Sequence, residues 1–455
     1  MRSAKKGLQT ILLVLLIAAL LYITGSQYIA RRPPKTAETT PMLDYRTPEP
    51  ETPTPDLLSD IGPDGDATPD RPDEQPTPET PSPTPSGETV RARLAVAGDI
   101  VPHDGLNAEA RRADGSYDYK DVFRGAAAYI EDADYAVATL ETTFAGTAEY
   151  TGYPLFKSPD GLAVSLKNLG FDLINTGSNH CMDSFKGGLV RTLDVLDENG
   201  IAHVGTYRTQ EERDASNGIA FAKINGIKIA FLSFTYGTNG IPVDEFPYVT
   251  NVFYKDYMTT LREIDYERID ADMAAARESG ADVIAVFMHW GAEYQTTPNR
   301  DQYAMADHLF EQGADLILGG HTHVPEPMEL RKVTDLNGRE KTGYICFCLG
   351  NLVSCQVDLY TNLTAVVNID LEKDLGSGET VIKNVKYVPL FMMNLYDYGI
   401  TDAGWRYRLL DLRAASDAYK NGSSDYMTEP MYRSMQEGLE NLRSIMGAEF
   451  DVRGE

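Results

Sequence analysis

Hydrophobic positions in this sequence form two kinds of run, which alternate along most of the chain. Runs of about four to eight apolar residues bounded by glycine or polar clusters predict buried strands, whereas an apolar residue every three to four positions predicts a helix. The predicted strands are 91–98, 135–140, 171–175, 201–204, 219–224, 228–234, 282–288, 316–318, 344–349, 364–371 and 381–389. The predicted helices are 119–132, 162–169, 187–199, 266–279 and 301–312. This order predicts an α/β fold with parallel strands early and antiparallel strands late.

The first ninety residues do not follow this pattern. The segment from Gly7 to Ala30 carries no charge and is flanked by basic residues, and it exceeds the roughly 20 residues that a membrane span needs. We therefore predict a retained signal-anchor at 1–32, with a cytoplasmic N-terminus and an extracellular body. A cleaved signal peptide is the alternative, although no Ala-x-Ala-like site follows the apolar run.

Residues 33–90 hold fifteen of the 25 prolines, interleaved with Thr, Ser, Asp and Glu, and this composition predicts a disordered linker. The rest is predicted to form one domain at 91–396 and a more polar, helical C-terminal appendage at 397–455. A net charge of −27 argues against a nucleic-acid partner. The four cysteines form no CxxC pair, which excludes a zinc ribbon, and the sequence does not specify a disulfide pairing.

Acidic, amide and imidazole side chains follow the predicted strands. The most informative stretch is Gly319-Gly320-His321-Thr322-His323, because open α/β sheets bind ligands at the carboxyl ends of their strands. Glycine would allow the backbone torsions that bring both imidazoles to one metal or to two neighbouring ones. The residues that follow strands in this way are Asp99, Glu141, Asn179, His289, His321 and His323.

Carboxylates and imidazoles together are ligands for Mn, Fe or Zn. Two acids, one amide and three histidines are more than a single zinc ion needs, so the set predicts two divalent ions about 3.5–4 Å apart with Asp99 as the bridge. Taken singly, Asp99 as a helix cap, Glu141 as an ion-pair partner and Asn179 as a turn residue are the alternatives.

Six motifs resemble the capsule-synthesis CapA family, from about Leu94 to about Met392. They are Gly98-Asp99, Leu140-Glu141, Asn179-His180 with Asp183, His289-Trp290-Gly-Ala-Glu293-Tyr294, Gly320-His321-Thr-His323 and Leu349-Gly350-Asn351. The resemblance implies a calcineurin-like metallophosphoesterase fold, which is a four-layer αββα sandwich, and a surface protein of poly-γ-glutamate capsule synthesis or export. It also implies that His180, oriented by Asp183, faces the substrate. The metal ligands that it implies are Asp99, Glu141, Asn179, His289, His321 and His323.

The sequence departs from the phosphoesterase pattern in three places. His103 lies four residues after Asp99, where catalytic phosphoesterases have Asp-x-His. Glu141 is followed by threonines in place of the second Gly-Asp-x-x-Asp motif, and Cys181 stands where an acid usually follows the histidine. These departures give more weight to a function without hydrolysis.

Three functions are therefore considered. The first is a metal-dependent hydrolase acting on a phosphoester or a related anionic substrate. The second is a non-catalytic component that binds the anionic polymer or membrane capsule-synthesis proteins. The third is a γ-glutamyl amide hydrolase or transferase. Candidate substrate contacts are His103, Lys157, Trp290, Glu293 and Asn351, with a packing role for Trp290 and a solvated Lys157 as the alternatives.

Overall fold

Two mixed β-sheets form the centre of the protein. The computed structural model describes residues 87–147 and 149–453. Their strands are β1 (Thr89–Ile100), β2 (Tyr135–Leu140), β3 (Leu173–Asn175), β4 (Ala202–Val204), β5 (Ala220–Ile224), β6 (Ile227–Thr235), β7 (Val283–His289), β8 (Leu316–Gly320), β9 (Met328–Thr334), β10 (Glu340–Cys346), β11 (Asn351–Val353), β12 (Leu363–Asp374), β13 (Thr380–Asn394) and β14 (Tyr407–Asp411). The first sheet has the order β14-β13-β12-β1-β2-β3-β4, with β11 also paired to β1, and the second has the order β5-β6-β7-β8-β10-β9.

Helices pack against both sheets. They are α1 (Asp104–Ala110), α2 (Ala127–Glu131), α3 (Gly161–Leu169), α4 (Phe185–Glu198), α5 (Gln210–Ser216), α6 (Tyr266–Glu278), α7 (Arg300–Glu311), α8 (Leu412–Lys420) and α9 (Glu429–Met446), with short 3-10 turns at Leu395–Tyr398 and Ala448–Phe450. The described helices include none that is both long and apolar enough to cross a membrane. The predicted signal-anchor at 1–32 and nearly all of the predicted linker lie outside the described residues.

Three apolar cores separate four layers. The core between the sheets contains Leu94 and Val96 of β1 together with Phe287 of β7. On the other face of β1, Ala95 contributes to a core with helices α1 to α4, and Ile284 on the far side of β7 contributes to a core with α6 and α7. Both sheets are thus buried on both faces, which is why their central strands are continuously hydrophobic. The layer order is the predicted αββα.

The predicted strand directions are confirmed. Strands β1 to β4 are parallel, as are β6, β7, β8 and β10, whereas β12, β13 and β14 are antiparallel to their neighbours. The predicted hairpin of β5 and β6 forms around Asn225 and Gly226, which have φ values of 50° and 93° as a tight primed turn requires. The first strand begins at Thr89, two residues before the predicted start.

The predicted helix 119–132 is wrong over its first half. Tyr119, Val122 and Phe123 are buried at helical spacing, but the chain there forms turns. The backbone instead bonds to β14, because Gly125 N donates to Leu409 O at 3.0 Å and Leu409 N donates to Val122 O at 2.8 Å. Helix α1 is polar and only seven residues long, so it gave no periodic signal.

The C-terminal region, predicted as a helical appendage, contributes to both the sheet and the core. Strand β14 pairs with β13, and the region belongs to the same unit of the chain as the rest of the described residues. The inward face of α9 presents Met431, Met435, Leu442 and Met446, all fully buried in the core between the sheets.

Replacing Met435 by Ala is therefore expected to destabilise the whole fold by about 2–5 kcal/mol, because it leaves a cavity in a core that the two sheets share. Urea unfolding of the full-length chain measures the change. Met258, which is 41% exposed, provides the control: Met258→Ala should change the free energy of unfolding by less than about 0.5 kcal/mol. Equal stability of the Met435 variant and the wild type would mean that α9 is dispensable.

Candidate functional site

The carboxyl ends of strands from both sheets meet at one edge of the protein. In the first sheet, Asp99 pairs with Thr139 of β2 and with Asn351 of β11. In the second, His289 at the end of β7 pairs with Gly320 at the end of β8. The sheets are joined at this edge because Asp99 Oδ2 accepts a 2.7 Å hydrogen bond from the backbone N–H of His321. The predicted strand-end residues are therefore brought together.

Two groups of side chains here have the spacing of metal ligands. One consists of Asp99, Glu141 and His323, and the other of Glu293, His321 and His323. Within each group the potential ligand atoms lie within 4.8 Å of one another. His323 belongs to both groups, and all members are buried except Glu293, whose side chain is 45% exposed. Glu293, which was predicted as a substrate contact, thus lies among the candidate metal ligands.

The backbone torsions of the Gly-Gly-His stretch differ from the prediction. Gly319 and Gly320 belong to β8, and the left-handed torsions fall on the histidines themselves, with φ of 93° at His321 and 63° at His323. The glycines are needed for close approach: a Cβ on Gly320 would lie 2.5 Å from Asp99 Oδ1. Positive φ at two non-glycine residues is strained, and such strain concentrates at functional sites.

His289 and Asn179 lie beside these two groups. Together with Asp99, Glu141, Glu293, His321 and His323 they form the cluster. His289 Nε2 lies 2.8 Å from Asn179 Oδ1 and 3.7 Å from Glu141 Oε1. Asn179 and His289 are each about 1% exposed. The amide oxygen of Asn179 is therefore directed towards an imidazole within the cluster.

Several buried polar atoms of the cluster have no hydrogen-bond partner among the described residues. They are both carboxylate oxygens of Glu141 and the Nδ1 atoms of His289 and His321. Buried polar atoms are almost always paired, so unpaired carboxylate oxygens and imidazole nitrogens in this cluster are the pattern expected of metal ligands. The residues present thus fit a divalent metal ion.

Burial also perturbs the titration of the cluster. It raises the pKa of Asp99 to about 7, and burial together with the neighbouring Asp99 carboxyl raises the pKa of Glu141 well above its ordinary value. Burial, reinforced by the other imidazoles, lowers the pKa of His289 and His321 well below the usual range and that of His323 to about 4. Without a bound cation, burial therefore favours the neutral forms of both the carboxyls and the imidazoles of the cluster.

The predicted pair of His180 and Asp183 is formed beside the cluster. His180 Nδ1 lies 2.8 Å from Asp183 Oδ2, which also accepts a 2.6 Å hydrogen bond from the backbone N–H of Phe156. The Phe156 ring packs edge-on against His180, with the ring centroids 4.7 Å apart. Asp183 therefore fixes the ring orientation and keeps Nδ1 protonated, which leaves Nε2 free for proton transfer.

The structure places three of the predicted substrate contacts in other roles. Asn351 is 1% exposed, and its Oδ1 lies 2.9 Å from His323 Nδ1, so it orients that imidazole. Trp290 is 2% exposed, and its indole N–H donates to Phe347 O at 2.9 Å. His103 bonds through Nδ1 to Val101 O at 3.0 Å and packs its ring against Phe156, on which His180 also packs.

Lys157 enters the fold through its backbone, which pairs with Thr151 in both directions, at 2.9 and 3.1 Å. A contact between Lys157 or His103 and a substrate stays a prediction.

Two site residues were missed, and both follow β6. Tyr236 packs its ring against His321, with centroids 4.4 Å apart, and also stacks on His289. Asn239 accepts a 3.0 Å hydrogen bond from Asn179 Nδ2, and its own amide nitrogen lies 3.3 Å from His180 Nε2. The polar loop after a continuous apolar strand was the available signal, since β6 ends at the same edge as β7.

The αββα layers and the carboxylate–imidazole cluster fit a protein of metallophosphoesterase type. Residues 93–356, more than half of the chain, match the family described as bacterial capsule synthesis protein PGA_cap, and the chain belongs to that family. It is 31% identical over 213 residues to the PGA biosynthesis protein CapA of Bacillus subtilis (strain 168), covering 47% of this chain and 50% of that protein. It is 24% identical over 298 residues to the capsule biosynthesis protein CapA of Bacillus anthracis, covering 64% and 66%. The chain thus spans about half to two thirds of these relatives.

Similarity to solved structures is more distant. A hypothetical protein from Thermus thermophilus has a TM-score of 0.36 and 14% identity, covering 65% of this chain and 98% of that one. A novel phosphatase from Mycoplasma pneumoniae has a TM-score of 0.38 and 12% identity, covering 66% and 93%.

Proposed function

We propose that this protein is a metal-dependent hydrolase of poly-γ-glutamate capsule synthesis or export, which acts on a phosphoester or a related anionic substrate. The observation that carries the proposal is that the ligand atoms of Asp99, Glu141 and His323, and those of Glu293, His321 and His323, each lie within 4.8 Å of one another. The capsule setting rests on family membership and on the similarity to the two CapA proteins. Anchoring through residues 1–32, an extracellular body and contact with membrane capsule-synthesis proteins are parts of the proposal.

Asp99, Glu141, Asn179, His289, His321 and His323 would hold the metal, with Glu293 as an additional ligand from the edge of the site. Two overlapping groups that share His323 support a pair of ions. A bound divalent ion supplies Lewis-acid activation of water and of the substrate's oxygen atoms at neutral pH. Manganese, iron and zinc all suit this mixture of carboxylate and imidazole.

The chain's own contribution is proton transfer and positioning. With Nδ1 of His180 held by Asp183, the imidazolium form of His180 can donate its Nε2 proton to the oxygen of the leaving group and become neutral. Asn239 beside the same ring, and Tyr236 against His321, limit the space around the reacting centre. The buried cluster excludes bulk water, which strengthens each of these electrostatic interactions.

Metal analysis of the purified full-length chain tests the proposal. After equilibration with Mn²⁺, Zn²⁺ or Fe²⁺, about two ions per chain are expected in the wild type, with hydrolysis of bis(p-nitrophenyl) phosphate. Asp99→Asn and His321→Ala should lose both metal and activity, because each removes a ligand. His308→Ala removes a histidine that pairs with Asp270 outside the site, and it should keep both.

The remaining outcomes separate the alternatives. Cleavage of γ-glutamyl-p-nitroanilide without cleavage of the phosphodiester would favour the amide-bond enzyme. No bound metal under metal-replete conditions would refute the hydrolase and leave a polymer-binding or scaffold component.

A further inference from the structure

A cavity of about 470 Å³ opens next to the cluster of candidate metal ligands, between the loop after β6 and the first turn of α7. Part of its wall is apolar or aromatic. The side chains that form this part are Phe253, Tyr254, Leu261, Ile264, Trp290 and Met305. A volume of this size is typical of sites that enclose a small organic group.

The charged lining of the cavity is negative. Glu293 and Asp301 contribute carboxylates, and of the residues that the structure describes no Lys or Arg lines the wall. Asp301 is exposed near the start of α7, so it acts at the mouth, whereas Trp290 and Met305 form the buried interior. An anion entering here would leave water for apolar side chains and approach the Asp301 carboxylate at the mouth, and both changes are unfavourable.

The cavity shares a wall with the candidate reaction site. His321 and Glu293 belong to both, and Tyr236, which lines the cavity, packs on His321. A group held in the cavity would therefore be joined, within the same molecule, to a group at the cluster.

We propose that this cavity binds a ring-bearing, apolar part of the substrate that carries no negative charge. The inference rests on the proposed function only in that the cavity adjoins its site. It divides the substrate into an anionic portion at the cluster and an uncharged or cationic aromatic portion in the cavity. The carboxylate-rich chain of poly-γ-glutamate would be excluded from the cavity.

Tryptophan fluorescence can measure binding without any reaction. The chain has two tryptophans, Trp290 in the cavity wall and Trp405 beside Tyr426, so the full-length Trp405→Phe variant reports on the cavity alone. Three probes with the same ring and different charge are titrated: 2-phenylethanol, 2-phenylethylamine and phenylacetate.

The neutral and cationic probes are expected to change the Trp290 emission saturably, and phenylacetate is expected to bind at least about tenfold more weakly than 2-phenylethanol. Asp301→Asn should reduce that discrimination by a few fold, since it removes one of the two carboxylates. Phenylacetate binding as tightly as 2-phenylethanol, or no response to any probe, would overturn the proposal.

A space-filling variant shows that the probes occupy this cavity. Ile264→Phe should weaken binding of 2-phenylethanol by about tenfold or more, because the larger side chain fills the apolar wall. Ile382→Phe, the same change on β13 of the other sheet, should have no effect. These binding results do not depend on turnover, so a failure of hydrolysis with intact probe binding would refute the proposed function alone, and the reverse result would refute the cavity inference alone.

Discussion

With divalent ions removed by a chelator, the wild-type chain is expected to become progressively less stable as the pH rises above 7. Burial raises the folded-state pKa of Asp99 to about 7 and that of Glu141 well above its ordinary value. Below about pH 4 both carboxyls are protonated in the folded and the unfolded chain, so neither affects the balance. At higher pH the unfolded chain releases these protons first, and stability falls by about 1.4 kcal/mol per pH unit for each such group until its folded pKa is passed.

The histidines act on the acid side. The pKa of His323 is lowered to about 4, and those of His289 and His321 fall well below the usual range, all chiefly through burial. As the pH falls below about 6.5, the unfolded chain takes up protons that the folded chain cannot, and stability is lost. Above that pH the histidines have no effect, and Asp99 has passed its folded pKa of about 7, so the fall above pH 7 reports on the buried glutamates Glu141 and Glu326.

Glu141→Gln should therefore flatten the decline above pH 7 in chelator, and in excess Mn²⁺ it should be less stable than the wild type. Ion binding to the folded wild type adds about 4 kcal/mol at a concentration roughly 1,000 times the dissociation constant, and the variant lacks a ligand. Urea unfolding at pH 6, 7, 8 and 9, with EDTA and with Mn²⁺, measures both effects.

Glu326 offers a matched control. It is fully buried outside the cluster, it accepts a 2.8 Å hydrogen bond from Gln302, and burial raises its pKa to about 8. Glu326→Gln should also reduce the pH dependence, up to about pH 8, yet leave the stabilisation by Mn²⁺ intact. Full metal stabilisation of the Glu141 variant would exclude Glu141 as a ligand.

His180→Ala is expected to slow hydrolysis by about 10²–10⁴-fold while the metal content stays at the wild-type level. The imidazole is the proton donor in the proposed reaction, and none of the cluster's ligand groups includes it. Asp183→Asn should cause a smaller loss and change the pH profile, because an amide no longer holds Nδ1 protonated. Steady-state kinetics with bis(p-nitrophenyl) phosphate, together with metal analysis of each variant, measures both.

His308 and Asp270 form a comparable pair, with 2.6 Å between His308 Nε2 and Asp270 Oδ1, on helices α7 and α6. His308→Ala should leave the rate unchanged, since it removes a histidine–carboxylate pair outside the site. Wild-type rates in the His180 variant would reduce that residue to a packing role, and equal losses in both variants would point to a general effect on folding.

The sequence placed the candidate site residues at strand ends, because strand ends are easy to locate from hydrophobic runs. Asp99 is the last residue but one of β1, Glu141 and His321 directly follow β2 and β8, and parallel strands bring such positions to one edge. The hydrophobic pattern could not predict the contacts between residues of the two different sheets. The contact of Asp99 with the backbone of His321, and the placing of Asn239 beside His180, depend on that packing.

The failure of the predicted helix at 119–132 has a cause that lies far along the chain. The spacing of Tyr119 and Phe123 is that of a helix, but the backbone there is held by β14. This partner is distant in sequence, whereas hydrophobic periodicity reports only on neighbouring residues.

The family match ends before the sheet around β1 is complete. The family match ends at residue 356, whereas β12 begins at Leu363 and pairs with β1 from Thr89 opposite Asp374 to Ala97 opposite Val366. A shortened chain that stopped where the similarity stops would retain every proposed metal ligand. It would nevertheless lack the strand that flanks β1 up to the residues just before Asp99, and would leave a long sheet edge open to aggregation. The region of sequence similarity is therefore shorter than the sheet that holds Asp99 in place.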